Sequence, residues 1–328
     1  YILPMNIINK FKISYNQKLF DDLLINNKQE EARLMLKEIK VKNKELFFHL
    51  LTHFINKYKS HPMKENFFKN KLFFINSFEL EDCNYLSKFF SFYFNEIQFN
   101  HESNNLAKII SSDLENLNLP YFPNTIEFHH FIEYSEFFFK SLLINDGDKN
   151  LFLKSNSAFY ESGENNFFIY PDTTAAYFFI HKNPLTVYSS LKKKLGTSQE
   201  ALNMMFNFQN EMVLNQDDNR AYLIKENRQS WNVFSNSWKD INVRNTYRGL
   251  LISQQDFIQA PHETFTKILF HLIQAGVKIE MNYDLIDKYI KSNPFEEDTF
   301  HDELSNKEKK ALLSNLDEKL LEYFNYQI

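Results

Sequence analysis

The amino-acid sequence predicts an α/β protein with a parallel β-sheet covered by helices on both faces, preceded by a helical segment. Three apolar runs of strand length support this prediction, at residues 71–77, 175–181 and 249–253. Each run leads into a stretch whose apolar residues have helical spacing, and strands that alternate with helices are typical of parallel sheets. Because these runs do not alternate polar with apolar residues, we expect the strands to be buried on both faces.

Residues 15 to about 60 are predicted to form two helices followed by a third at 46–58. In the first two stretches the apolar residues recur at intervals of three and four: Leu19, Phe20, Leu23, Leu24, then Ala32, Leu36, Ile39. Asn26 and Asn27 separate these stretches, and Asn is able to end a helix in the left-handed conformation. The arrangement weakly resembles a tetratricopeptide unit. We therefore expect a helical segment at 1–62 and an α/β domain at 63–328 that ends in a charged helical tail.

Further elements are predicted along the α/β domain. The spacing of apolar residues predicts helices at 84–93, from residue 185 onward and at 263–275, and an aromatic run at 166–170 has the length of a strand. The basic run at 192–194 is interpreted as a solvated helix face.

Composition excludes several classes of protein. The net charge of −5 is spread over mixed acidic and basic residues, so we expect no nucleic-acid partner. A single cysteine, Cys83, excludes a disulfide framework and a cysteine-rich zinc site, and no metal is expected. No apolar run reaches the roughly 18 residues of a membrane span. The N-terminus lacks the pattern of a signal peptide, which favours a cytoplasmic protein. Abundant Phe, Asn, Lys and Ile beside 5 Gly indicates an AT-rich genome.

Two segments carry a resemblance to a known family. Residues 170–190 include FFIHKNPLTVYSS (178–190), and residues 250–261 read LLISQQDFIQAP. In order and spacing they resemble two motifs of the sulfotransferases, which use the donor PAPS on a P-loop-like α/β fold. The resemblance covers about residues 72–295. It implies that Lys182 and Ser190 stand where the family binds the donor's 3′-phosphate. Lys keeps the charge of the family's Arg but lacks its planar fork.

A third segment aligns with the family's donor-binding loop but lacks its functional residues. Residues 74–90 read FINSFELEDCNYLSKFF, and the apolar scaffold positions survive. The changed or added loop residues are Glu79, Leu80, Glu81, Asp82, Cys83 and Asn84. A phosphate cradle needs Gly so that backbone N–H groups point inward. Residues 1–146 contain no Gly, so we expect the donor loop to be degenerate. The acids are interpreted as stabilisers of the start of a helix.

The resemblance also implies two candidate catalytic residues. Lys154 falls where the family often contacts the sulfuryl group. Glu102 lies about twenty residues past the loop, where some members keep a general base. A base must lie within hydrogen-bond reach of the acceptor hydroxyl, and an exposed surface Glu is the alternative interpretation of Glu102.

Three hypotheses for the function follow. The first is a non-catalytic sulfotransferase-like protein, a pseudoenzyme that binds a protein partner or a small-molecule ligand and needs no cofactor. The second is an active sulfotransferase that uses PAPS and releases PAP. The third is a helical-repeat adaptor in which the α/β domain is a scaffold. A homo-oligomer is compatible with all three. We expect Lys182, Ser190 and Lys154 to converge at the carboxyl ends of the strands, with the loop acids either exposed or paired with these lysines.

Overall fold

The computed structural model describes residues 5–58, 72–106, 109, 128–146, 149–159, 161–162, 166–206, 229–295 and 304–326. The helices are α1 (Met5–Ile25), α2 (Gln29–Lys42), α3 (Lys44–Tyr58), α4 (Asp82–Glu96), α5 (Phe128–Asp146), α6 (Pro184–Leu195), α7 (Ser198–Phe206), α8 (Trp231–Lys239), α9 (Ile241–Tyr247), α10 (Asp256–Gln259), α11 (Pro261–Gln274), α12 (Tyr283–Ser292), α13 (Asn306–Leu313) and α14 (Glu318–Tyr323). The strands are β1 (Leu72–Asn76), β2 (His101–Asn105), β3 (Asn150–Ser155), β4 (Glu161–Ser162), β5 (Asn166–Phe167), β6 (Thr174–His181) and β7 (Gly249–Ser253).

The main sheet has five strands in the order β2–β3–β1–β6–β7, and every neighbouring pair is parallel. The three apolar runs of the sequence form β1, β6 and β7, which are adjacent in this sheet. The predicted α/β class with a parallel sheet is therefore confirmed. β1 and β6 are buried along nearly their whole length, as their continuous apolar sequences indicate.

Successive residues of each strand point to opposite faces, and each face carries its own core. On the first face, Phe74 and Tyr177 belong to a core shared with helices α1–α3, α5, α6 and α8. On the second face, Phe73 and Phe178 pack with α4, α11 and α12. Helices therefore cover both faces of the sheet, as predicted.

The N-terminal helices pack on the first face of the sheet. Phe20 and Leu36 are fully buried in the same core as Phe74 of β1. Asn27 has a φ of 57°, so α1 ends in the left-handed conformation expected from the sequence. The predicted helical segment is present. The predicted domain boundary at residue 62 lies outside the described residues.

The sequence did not predict β2 and β3. β3 contains the apolar residues Leu151–Leu153 and lies beside β1, while β2 is a polar edge strand with the sequence HESNN. An edge strand pairs through its backbone on one side only, so its side chains need not be apolar. The prediction for residues 166–170 was wrong in extent, because only Asn166–Phe167 is a strand and it pairs with β4 outside the main sheet.

Removing the side chain of Leu36 is expected to destabilise the whole protein. Leu36 is fully buried in the core that joins the N-terminal helices to the sheet, so Leu36→Ala should lower the free energy of unfolding by about 2–5 kcal/mol. Leu34→Ala is the matched control on the same helix, since Leu34 is 51% exposed and its loss should cost little. Urea unfolding followed by circular dichroism measures both. Equal stabilities of the two variants would contradict the shared core.

Candidate functional site

A cleft lies at the carboxyl ends of β1 and β6, where connections leave the sheet in opposite directions. After β1 the chain continues toward β2 at one edge, and after β6 it continues toward β7 at the other edge. Ligands of open α/β sheets bind at this kind of switch point. The cleft has a volume of ≈ 480 Å³. Its lining residues are Glu79, Glu81, Asp82, Lys182, Ser190, Lys193 and Lys194.

Local sequence positions these side chains around the cleft. The acids lie on the loop between β1 and α4, and Lys182 follows the last residue of β6. Asn183 then caps α6 by accepting a hydrogen bond from the Leu185 N–H at 2.9 Å, and Pro184 occupies the first helical turn. Ser190 and Lys194 are four residues apart on α6, so both face the same side of the helix.

Glu79 is the centre of the polar contacts in the cleft, and its side chain is only 3% exposed. Its Oε1 accepts hydrogen bonds from Ser190 Oγ and Lys194 Nζ, both at 2.8 Å. Its Oε2 lies 3.5 Å from Nζ of Lys182, which is 4% exposed. Of the three residues predicted to converge, Lys182 and Ser190 meet at Glu79, whereas Lys154 does not line the cleft. The predicted pairing of loop acids with Lys182 is observed.

Asp82 is the second buried carboxylate. Its Oδ1 lies 3.5 Å from Lys182 Nζ and 3.4 Å from Gln254 Nε2, and its Oδ2 accepts a hydrogen bond from Ser77 Oγ at 3.2 Å. Burial raises the pKa of Asp82 from 3.8 to about 6, an effect opposed by Lys182 and increased by Glu79. One buried ammonium group is thus shared between two buried carboxylates.

The backbone of the loop is hydrogen-bonded within itself. The N–H groups of Asp82, Cys83 and Asn84 donate to the carbonyls three residues earlier, at 3.1, 3.2 and 2.9 Å. In a phosphate cradle such N–H groups point at the anion. Here a tight turn engages them, so the start of α4 offers these three donors to its own chain.

The interpretation of the loop acids as stabilisers of the helix start is wrong in detail. The residue before α4, Glu81, makes no capping hydrogen bond through its side chain and is 67% exposed, 3.3 Å from Lys194 Nζ. Glu79 and Asp82 instead use their carboxylates in the buried contacts with Lys182. The acids take this role because the fold brings the buried ammonium group of Lys182, at the end of β6, to this loop.

The basic run at 192–194 lies on an exposed part of α6, as predicted, but two of its lysines are also paired with carboxylates. Lys192 Nζ lies 2.7 Å from Oε1 of Glu308 on α13, and Lys194 Nζ pairs with Glu79 and Glu81. Burial lowers the pKa of Lys194, but the nearby carboxylates outweigh it and the net shift is upward. Hydrogen bonds from Lys192, Ser198 and Ser305 hold the pKa of Glu308 well below its usual range. Lysines of α6 therefore pair with two carboxylates, Lys192 with Glu308 and Lys194 with Glu79.

Lys154 contacts the same loop but does not line the cleft. Its Nζ donates to Oδ1 of Asn84 at 2.8 Å. Cys83 points away from the cleft, and its thiol donates to the Ile75 carbonyl at 3.3 Å. Leu80 is half-buried against the core of the second face.

Glu102 lies away from the other candidate residues. On β2 it aligns with Leu151 and, through β3, with Leu72, whereas Lys154 aligns with Ile75. Glu102 is therefore three residues, about 10 Å, nearer the amino ends of the strands. Its carboxylate pairs with Lys149 Nζ at 3.0 Å, and hydrogen bonding from Lys149 lowers its pKa, which weakens it as a base.

Sequence reasoning did not identify Lys194, Gln254 or Ser77 as residues of the site. The spacing of Ser190 and Lys194 by one helical turn was the signal that could have found Lys194. Gln254 and Ser77 become neighbours of Asp82 only through the packing of β7 beside β6 and the turn after β1.

Comparisons with known proteins assign no family. No protein-family model matches the chain, and a comparison with curated proteins finds no significant match. Among the described residues no helix is both long and apolar enough to cross a membrane. In the same part of the chain, no group of three or more His, Cys, Asp and Glu side chains is arranged to hold a metal ion.

Loss of the Glu79 carboxylate is expected to destabilise the protein strongly. Glu79→Ala deprives buried Lys182 of one of its two carboxylates, and breaking such a pair costs about 3 kcal/mol or more. Glu81→Ala is the control, since this exposed side chain should change stability by less than about 0.5 kcal/mol. Chemical denaturation at pH 7 measures both, and indistinguishable variants would contradict the central role of Glu79.

Asp82 is expected to make stability depend on pH. Because its folded pKa of about 6 exceeds its ordinary value of 3.8, the folded state binds this proton more tightly than the unfolded state. Its contribution to stability is therefore full below about pH 4 and is lost as pH rises through about 6, to an extent of roughly 3 kcal/mol.

The measurement is urea unfolding between pH 4 and 7.5. Asp82→Asn cannot ionise, so it should lose this part of the pH dependence, while the exposed control Asp284→Asn should keep it. An Asp82→Asn variant with the pH profile of the wild type would disprove the assignment.

Proposed function

We propose that the protein is a non-catalytic, sulfotransferase-like protein that binds a small-molecule ligand or a protein partner without PAPS. The family part of the proposal is supported by where the three resembling segments lie. Residues 74–90 span the end of β1, its loop and the start of α4, residues 178–190 span the end of β6 and the start of α6, and residues 250–261 run from β7 to the start of α11. These segments are distant in sequence, yet their strands are neighbours in the sheet.

The observation that carries the non-catalytic part is the set of contacts around Glu79. Lys182 and Ser190, the residues aligned with the family's 3′-phosphate site, both contact its carboxylate. A phosphate group at this position would compete with a tethered carboxylate that already has three donors. At ~4 Å two like charges repel by about 4 kcal/mol at an effective dielectric of 20, so Glu79 and Asp82 both oppose a phosphosulfate.

The overall charge of the cleft also supports a site that does not bind a phosphosulfate. Three carboxylates and three lysines line it, so their formal charges balance. A site for a highly charged anion needs an excess of positive charge or free backbone donors, and the turn at the start of α4 engages three of its N–H groups internally.

Ligand binding is supported by the open volume of the cleft. The salt bridges do not fill it. Its ≈ 480 Å³ lies within the roughly 300–1,000 Å³ of small-molecule sites. Because the walls present both signs of charge, a ligand or a partner segment with both an acidic and a basic group complements them best.

A second candidate function, the helical adaptor, is favoured by apolar side chains on the N-terminal helices. Tyr15 and Leu19 lie one turn apart on α1 and are 69% and 40% exposed, and Leu34 and Val41 lie two turns apart on α2 and are 51% and 84% exposed. Exposed apolar side chains with helical spacing are typical of partner-binding surfaces.

Thermal unfolding with PAPS and with PAP tests the proposal. The wild type should show no shift with either compound, whereas a bound nucleotide at 100 times its dissociation constant would stabilise the fold by about 2.7 kcal/mol. A shift in the wild type, or sulfuryl transfer to a hydroxyl acceptor, would overturn the non-catalytic assignment and favour the active enzyme.

A variant of the loop tests why the donor is excluded. Glu79→Gly, Glu81→Gly and Asp82→Ser together replace three carboxylates with small residues. PAP should therefore bind this variant but not the wild type. The control removes three exposed acids on the second face, with Glu263→Ser, Glu280→Ser and Asp284→Ser, and should not bind PAP. Calorimetric titration of each folded variant measures the binding. Equal affinities in the two triple variants would show that the loop carboxylates are not what excludes the nucleotide.

A further inference from the structure

The two buried carboxylates of the cleft are bound unequally. Oε1 of Glu79 accepts two hydrogen bonds at 2.8 Å. Asp82 has longer contacts, since its Oδ1 lies 3.5 Å from Lys182 Nζ and 3.4 Å from Gln254 Nε2, beyond the roughly 2.7–3.2 Å of ordinary N–H···O hydrogen bonds. One ammonium group cannot neutralise two buried carboxylates, so the less well bound of the two, Asp82, is the group that takes up a proton.

The groups that face Asp82 come from four parts of the fold: the loop after β1, the end of β6, the loop after β7 and the C-terminal segment. They are Ser77, Glu79, Lys182, Gln254 and Tyr326. Burial raises the pKa of Tyr326 well above its ordinary value of 10, so its phenol is neutral at physiological pH. Among the described residues, Lys182 is the one cation that contacts Asp82, and it is shared with Glu79.

A proton on Asp82 changes what the cleft presents to a ligand. With Asp82 ionised, three lysines and three carboxylates line the cleft and their formal charges balance. With Asp82 protonated, the lysines exceed the carboxylates by one. Protonation also converts Asp82 from a group that only accepts hydrogen bonds into one with an O–H donor. The protonated cleft therefore offers an excess positive charge and a donor, which are the two requirements of an anion.

The exposed side of the cleft provides a cation for such an anion. Lys194 is 43% exposed, and its pairing partner Glu81, at 3.3 Å, is 67% exposed. Exposed ion pairs contribute little free energy, so an incoming anion can replace Glu81 beside Lys194. Glu79 does not exchange in this way, because it is buried and contacts three donors.

These groups define the chemical class of the ligand. An excess of one positive charge matches a singly charged anion, whereas a phosphate ester or a sulfate with two negative charges exceeds it. A carboxylate has two oxygens, so it can accept from the Asp82 O–H and from a lysine at the same time. The cleft volume of ≈ 480 Å³ leaves room for a small organic chain attached to that carboxylate.

We propose that the cleft binds a small monocarboxylate together with one proton, which is held on Asp82. This proposal rests on the ligand-binding part of the proposed function and names the class of ligand. Binding is then coupled to pH. Because the pKa of Asp82 is raised to about 6, the proton is present below that pH and is lost as pH rises through it, so the affinity for the carboxylate falls at higher pH.

The probe for the test is trifluoroacetate, whose carboxylate stays ionised throughout the pH range. Fluorine NMR titration of the full chain measures its dissociation constant at pH 5.5 and pH 7.5. We expect binding to be roughly 20-fold tighter at pH 5.5, in proportion to the fraction of Asp82 that is protonated. Trifluoroacetamide, the neutral analogue, should bind without this dependence on pH.

The contrary outcomes separate this proposal from the proposed function. Equal affinity for trifluoroacetate at both pH values, no binding at either, or the same pH dependence with trifluoroacetamide overturns the coupled binding of carboxylate and proton. None of these results shows binding of PAPS or PAP, so the proposed function is judged separately by the thermal shifts with those compounds.

Substitution of Asp82 provides the second test. Asp82→Asn is neutral at every pH and keeps a donor, so at pH 7.5 it should bind trifluoroacetate about as tightly as the wild type does at pH 5.5. The exposed control Asp284→Asn should keep the pH dependence of the wild type. An Asp82→Asn variant that keeps that dependence contradicts the proposal.

The wild type alone supplies a measurement that does not require a folded variant. Calorimetric titration with trifluoroacetate at pH 7, in two buffers of different ionisation enthalpy, counts the protons taken up on binding. We expect about one proton for each anion bound. A heat of binding that is the same in both buffers means that no proton is taken up, and it overturns the proposal.

Discussion

The carboxyl end of the sheet depends on one buried ammonium group. Lys182 is 4% exposed, and a charge at such a depth is stable only when it is paired. Glu79 and Asp82 supply that pairing from the loop after β1 and from the start of α4. Through Ser190 and Lys194 the Glu79 carboxylate also holds α6. One ion cluster therefore joins the loop, two helices and the end of β6, and the raised pKa of Asp82 reflects the cost of burying two carboxylates beside one lysine.

These contacts account for both the stability and the binding properties proposed for the cleft. The donors that a phosphate site would present to its ligand are engaged within the protein. Ser190 and Lys194 donate to Glu79, and the N–H groups at the start of α4 donate to carbonyls of the turn. The loop contains no glycine, the residue that most readily adopts the left-handed conformations in which backbone N–H groups point inward. The cleft remains open in volume yet balanced in charge, which favours ligands unlike a phosphosulfate.

Sequence patterns predicted the buried elements better than the exposed or edge ones. β1 and β6 were recognisable because strands buried on both faces need continuous apolar residues, and α2 and α3 because one helical face is buried. β2 was missed because its polar side chains are half-buried at the sheet edge and its pairing is made by the backbone. In the candidate site, Lys182 and Ser190 were identified through a motif. Lys194 was instead predicted to lie on a solvated helix face, because runs of charged residues usually do, and its pairing with Glu79 was not predicted.

The sequence by itself determined the α/β class, the strands β1, β6 and β7, and the presence of acids where a phosphate loop needs glycine. These properties follow from local residue type and periodicity, which do not require knowledge of distant contacts. Only the tertiary structure decided what the acids do. Lys182 lies about one hundred residues from Glu79, and Glu308 lies a further hundred residues on from Lys192. The pairing of buried charges depends on which strand and helix ends meet at one edge of the sheet, and that is a property of the folded chain.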